Sequence, residues 1–152
     1  MISREYVICE TSFQVKGGVY DNAGEVSTRV KAILKGMKLA EEVVRRAAIV
    51  AYEAEMNVVA YADRGVINLR VTPERITLEV TDEGQGIPDI EMAMKEGFST
   101  ASREIWHMGF GAGMGLSNIK RYSDFFRITS EVGKGTYLRM VIRLDKDRKG
   151  TA

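Results

Sequence analysis

The chain has 152 residues, 45% apolar and 28% charged, with a net charge of +1. That length suffices for one domain with a real core, and the near-neutral balance gives no reason to expect nucleic acid or an anionic membrane as a partner. Cys9 is the only cysteine, which excludes a disulfide framework and a cysteine-based metal site. No apolar run has the length of a membrane span and the N-terminus lacks a signal-peptide pattern, so a cytoplasmic protein is expected.

Residues 6–15 alternate loosely and predict a first or edge strand, with Cys9 as a buried, inert thiol. Three glycines and Asp21-Asn22 within residues 16–24 predict a turn. Val26, Val30, Ile33, Leu34 and Met37 then follow helical spacing, in a first helix that ends near Gly36. A long alanine-rich helix is predicted over residues 40–62. Val44, Ala47, Ala48, Ala51, Val58, Val59 and Ala62 form its apolar face, small enough to pack close to a sheet, and Glu55 falls near that stripe as a mild misfit. Glu53 and Asn57 lie four apart, on one side of the helix. Two readings fit the pair: a solvated helix face, or a base beside a Mg²⁺ ligand.

Residues 66–71 place Ile67, Leu69 and Val71 on one face, and residues 76–80 do the same with Ile76, Leu78 and Val80. Joined by a turn at residues 72–75, they predict an antiparallel hairpin with one buried face, whose second strand delivers Asp82. A short helix is expected within residues 89–95. Residues 97–108 have little periodicity and read as a lid; there His107, the only histidine, is expected at the lid surface and Trp106 in local packing. Residues 116–122 predict a helix with Ile119 and Tyr122 turned inward. Phe126 and Ile128 begin a strand, Gly133-Lys134-Gly135 turns it, and Leu138, Met140, Ile142 and Leu144 alternate in a closing strand. The charged tail after Leu144 is expected to fray. The eight methionines are scattered, which suits core filling better than a metal or peptide groove.

Two stretches are unusually rich in glycine. One is Asp82-Glu83-Gly84-Gln85-Gly86-Ile87-Pro88, the other Gly109-Phe110-Gly111-Ala112-Gly113-Met114-Gly115-Leu116. Alternating glycines leave backbone N–H groups uncovered for an anion, and the helix that follows the second stretch presents an N-terminus that favours phosphate. The pair reads either as a nucleotide clamp or as two ordinary glycine turns. A dinucleotide fingerprint is excluded, because the required third glycine falls on Leu116 or Met114. A Walker A loop is excluded, because Ile128 stands where its first glycine should be and Gly133-Lys134-Gly135-Thr136 has the wrong order.

Taken in order, the helix with Glu53-x-x-x-Asn57, the hairpin, Asp82-x-Gly84-x-Gly86, the lid segment with Gly97-Phe98-Ser99-Thr100, and the run from Gly109 to Gly113 resemble the GHKL ATPases. Within that class they resemble the small anti-sigma-factor serine/threonine kinases. The resemblance covers most of the chain, from the second helix to Leu144. It implies a single GHKL (Bergerat) domain over residues 1–152: a two-layer α+β sandwich with a mixed, mainly antiparallel sheet, helices on one face, and ATP between helix and lid. It implies Glu53 as the general base, Asn57 as the Mg²⁺ ligand, and Asp82 as the acceptor for the adenine amino group, with Gly84 and Gly86 giving the ring room. Ser99, Thr100, Gly109, Gly111 and Gly113 would complete the nucleotide site, the glycines offering amides to the phosphates, and Thr136 would support the adenine end. The implied activity is transfer of the γ-phosphate to a serine or threonine of a STAS-domain antagonist, with a sigma factor or a phosphatase as further partner and room for a homodimer. Two other readings are a nucleotide-gated module that sequesters a sigma factor or another regulator, and a plain ATPase. The lid is longer than in the shortest switch kinases and nearer that of the sporulation-type anti-sigma factors.

Overall fold

Period-two alternation on three neighbouring strands organises the molecule. A computed structural model describes residues 6–95 and 115–144. The expected lid, the glycine run from Gly109 to Gly113 and the charged tail lie outside the described residues. The elements run β1 (Cys9–Lys16), α1 (Glu25–Gly36), α2 (Glu41–Tyr61), β2 (Ala62–Val71), β3 (Arg75–Gly84), α3 (Ile90–Ala93), α4 (Gly115–Tyr122), β4 (Phe125–Glu131) and β5 (Gly135–Arg143). The strands form one sheet in the order β1-β2-β3-β5-β4. Every pairing is antiparallel, so no parallel pair of a mixed sheet occurs among the described residues.

The register aligns the apolar phases. Leu69 sits opposite Leu78, and Leu78 opposite Met140. Ile67, Leu69, Val71, Ile76, Leu78, Val80, Leu138, Met140 and Ile142 are all between 0 and 3% exposed, and each such side chain contributes about 1.5–3 kcal/mol by burial. Against this face lies α2, whose Ala47, Val50, Ala51, Ala54 and Val58 are fully buried. Its small side chains let the helix lie close to the strands. Ala48 and Ala62, expected on the same stripe, are only partly buried.

The N-terminal region corrects two expectations. Tyr6 and Ile8 are exposed and the strand starts at Cys9. As β1 is an edge strand, the Cys9 thiol is only partly buried. Glu55, the apparent misfit of α2, is 2% exposed and has a defined task. Gly24, the residue before α1, has no side chain with which to cap the helix. The Glu55 carboxylate instead accepts from the N–H groups of Gly24 (3.0 Å), Val26 (3.3 Å) and Ser27 (3.1 Å). It satisfies donors that a helix N-terminus leaves open and opposes the positive end of the helix dipole.

No helix among the described residues is long and apolar enough to cross a membrane.

Candidate functional site

The candidate site is assembled from the C-terminal half of α2, the end of β3, the start of β5 and the first turn of α4. Leu116 and Ile119 are buried and set the rotation of α4 on the core. Two hydrogen bonds and one close approach then fix how α4 lies on α2. Arg46 Nε donates to the Tyr122 carbonyl oxygen at 3.1 Å. Asn118 Nδ2 donates to Glu53 Oε2 at 2.8 Å. A Cβ added at Gly115 would stand 3.4 Å from Asn57 Oδ1 and 4.0 Å from Glu53 Oε1. The pairing 46 to 122, 53 to 118 and 57 to 115 makes the two helices antiparallel. An ion pair between Arg46 and Asp124, at 3.3 Å and largely shielded from water, locks the far end. The helix that follows the second glycine-rich stretch therefore begins directly beside Glu53 and Asn57, which both stay partly accessible.

Asp82 lies near the end of β3, and its Oδ1 accepts from the Thr136 N–H at 3.0 Å. Burial pushes its carboxyl above the ordinary value of 3.8, and the Thr136 N–H opposes that rise. Among the described residues Oδ2 takes no hydrogen bond. A half-buried carboxylate with one oxygen satisfied and the other open is an acceptor suited to a ligand's N–H donor, so this end of the site fits an adenine amino group. Asn57 fits Mg²⁺ as a single oxygen ligand, since that ion is commonly held by one or two protein groups together with substrate phosphates. Among the described residues no three His, Cys, Asp or Glu side chains converge as a protein-only metal cage.

The glycines here answer to the protein's own packing. A Cβ at Gly84 would come within 2.8 Å of Ala62 Cα and 2.9 Å of the Tyr61 carbonyl oxygen. Gly86 has a φ of 76°, and a Cβ there would lie 2.4 Å from the Glu131 carbonyl oxygen. Gly86 is therefore required where the turn after β3 meets the β4–β5 hairpin.

Of the residues anticipated from sequence, Glu53 and Asn57 come together one turn apart under α4, and Asp82 and Thr136 are bonded to each other. Ser99, Thr100, Gly109, Gly111 and Gly113 lie outside the described residues. Two polar residues went unnoticed in the sequence. Asn118 holds Glu53; its signal was an asparagine, a poor helix former, inside a predicted helix. Ser130 Oγ accepts from the Ile87 N–H at 2.8 Å, donates to the Gly135 carbonyl oxygen at 3.0 Å and lies 2.8 Å from Thr136 Oγ1. It pins the Gly84–Ile87 turn to β5, and its signal was a polar residue in the inward phase of Phe126 and Ile128.

Residues 42–147 match the family described as histidine kinase-, DNA gyrase B- and HSP90-like ATPases, and the chain belongs to that GHKL family. Its relatives there include anti-sigma F factors and a serine/threonine-protein kinase. It is 31% identical over 128 residues to the anti-sigma F factor of Caldanaerobacter subterraneus subsp. tengcongensis, an alignment that covers 83% of this chain and 80% of that protein. It is 37% identical over 86 residues to the anti-sigma F factor of Thermoanaerobacter sp. strain X514, covering 55% and 57%. It is 33% identical over 93 residues to the serine/threonine-protein kinase RsbT of Bacillus subtilis, covering 59% of this chain and 64% of that one.

Proposed function

We propose that this protein is an ATP- and Mg²⁺-dependent serine/threonine protein kinase of a bacterial partner-switching pathway. Its substrate is a STAS-domain antagonist, and its further partner a sigma factor or a phosphatase. The observation that carries this reading is the placement of a carboxylate and an amide, Glu53 and Asn57, one turn apart on α2 and facing the first turn of α4. A module that only sequesters a partner has no need of a base at that place.

ATP supplies the transferable phosphoryl group, and Mg²⁺ bound to it neutralises charge as that group moves. The chain's own groups do the rest. Asp82 Oδ2 accepts from the adenine amino group, while Thr136 and Ser130 hold that carboxylate and its turn in place. Asn57 would hold the Mg²⁺ ion through its side-chain oxygen. Glu53 accepts the proton of the incoming serine or threonine hydroxyl, whose oxygen forms the new bond to phosphorus as the bond to the leaving diphosphate breaks. Ser99 and Thr100 are assigned to the nucleotide, and the amides of Gly109, Gly111 and Gly113 to its phosphates. Phosphoryl transfer depends mainly on positioning and charge compensation, and these are the groups that it needs.

A second reading, sequestration of a sigma factor with little or no transfer, is favoured by the names of several relatives. The test is incubation with γ-labelled ATP, a purified STAS-domain antagonist and a sigma factor from the same cell. Label on a serine or threonine of the antagonist is expected. Tight, nucleotide-dependent capture of the sigma factor, with no label on its confirmed antagonist, would establish sequestration instead.

A further inference from the structure

We propose that Asn118 is a positioning residue for Glu53. Its side-chain amide holds one carboxylate oxygen so that the other faces the reacting hydroxyl, and it ties the base to the position of α4. The proposal rests on the reading of Glu53 as the base.

The contact joins residues 65 apart in sequence, at 2.8 Å, in a partly buried setting. Its polarity is settled by chemistry. An ionised carboxylate can only accept, so the amide must present Nδ2 and not Oδ1. A glutamate on the accessible side of a helix otherwise visits several rotamers, and a hydrogen bond to an ionised group is among the stronger restraints that a side chain can receive. With Oε2 held by Asn118, Oε1 takes no hydrogen bond among the described residues. It lies 4.0 Å from where a Cβ at Gly115 would stand, a point 3.4 Å from Asn57 Oδ1. The open oxygen and the proposed cation ligand thus both border Gly115.

The second half of the proposal follows from how α4 is anchored. Arg46 and Glu53 are seven apart on α2, two turns along one face. Both receive α4, through Tyr122 and Asn118. The Arg46 end is locked by the shielded ion pair to Asp124 and by burial of Ile119. At the Glu53 end Leu116 is buried, and the Asn118 amide is the contact that reaches Glu53. A displacement of the first turn of α4 is therefore passed to Glu53 through that amide.

The test uses the full chain carrying Asn118→Ala, Asn118→Asp, Glu53→Gln, or Asn118→Ala combined with Glu53→Gln. Single-turnover loss of the γ-phosphoryl group from labelled ATP is measured with water or a STAS-domain protein as acceptor. Calorimetry gives ATP affinity separately. Asn118→Ala should slow turnover by about tenfold, the scale of a misplaced reacting group, with ATP affinity changed less than about twofold. Asn118→Asp, which sets a carboxylate against a carboxylate, should be no faster than Asn118→Ala. In the Glu53→Gln background Asn118→Ala should add almost nothing, whereas a merely structural role would give losses that multiply. A readout without turnover accompanies these. In ¹⁵N spectra of nucleotide-free protein, the Asn118 side-chain amide signal should move on Glu53→Ala. An unmoved amide signal, multiplying losses, or wild-type turnover of Asn118→Ala beside a slow Glu53→Gln would overturn this proposal alone. Wild-type turnover of Glu53→Gln would overturn the reading on which it rests.

Discussion

The Glu55 carboxylate is predicted to be worth several kcal/mol, and removing it is a direct probe of how α1 is held. Glu55→Ala strips three N–H groups, at 3.0, 3.3 and 3.1 Å, of their acceptor. The carboxylate is 2% exposed, so water cannot readily replace it, and Gly24 offers no side chain of its own. Hydrogen bonds to charged groups contribute about 1.5–3 kcal/mol each. The three share two oxygens, and burial of the charge offsets part of the gain, so the simple sum overstates the effect. No charge is left behind, and a buried donor without its acceptor costs about 1–3 kcal/mol; a total of about 3 kcal/mol suits three donors at a helix terminus that can fray. Glu55→Gln keeps one acceptor but turns an amide N–H₂ towards backbone donors, and should cost about 2 kcal/mol. At about 2–4 °C per kcal/mol for a chain of this size, Glu55→Ala lowers Tm by about 6–12 °C. Equilibrium urea denaturation, with hydrogen exchange at Val26 and Ser27, is the assay. A loss below about 1 kcal/mol with unchanged protection of the first turn of α1 would refute the capping argument.

Other predictions concern the adenine end. GTP presents a carbonyl where ATP presents an amino group, so Asp82 should bind ATP much better than GTP, and Asp82→Asn should weaken ATP binding; equal affinities by calorimetry would remove the assignment. The Asp82 carboxyl titrates above 3.8 in the folded protein, chiefly through burial. The folded state therefore holds the proton longer than the unfolded state. The contribution of Asp82 to stability is largest below 3.8 and declines as pH rises from there through its raised value. ATP affinity, which needs the ionised form, should strengthen across the same window, and Asp82→Asn should flatten both trends. Gly86→Ala forces a side chain into a positive φ and against the Glu131 carbonyl oxygen; a loss of at least about 2 kcal/mol is expected in thermal unfolding.

The fold was legible where one physical constraint acts locally. β2, β3 and β5 alternate because one face of the sheet is buried, and the i, i+4 spacing of Glu53 and Asn57 is a property of any helix. What escaped the sequence depends on partners far along the chain. Glu55 read as a misfit because the donors it serves lie 28 to 31 residues away. The partner of Asn118 became visible only once α4 was laid antiparallel on α2. The glycines at 84 and 86 were singled out for a ligand, and the structure adds a reason invisible in the sequence: a Cβ at either would meet neighbouring backbone. The mixed sheet was an expectation from resemblance, and the described pairings are all antiparallel.

The central claim is that Glu53 acts on the incoming hydroxyl while Asn57 helps to hold the nucleotide. Glu53→Gln keeps the size and helix preference of the side chain and removes only the charge. Measured side by side for ATP affinity and for phosphoryl transfer to a confirmed STAS-domain partner, it should bind ATP nearly as the wild type does. It should transfer roughly a hundredfold or more slowly, the usual scale for a lost general base. Asn57→Ala in the same experiment should lose Mg²⁺-dependent ATP binding and transfer together. Transfer by Glu53→Gln at the wild-type rate would contradict the account and leave Glu53 as a helix-surface residue.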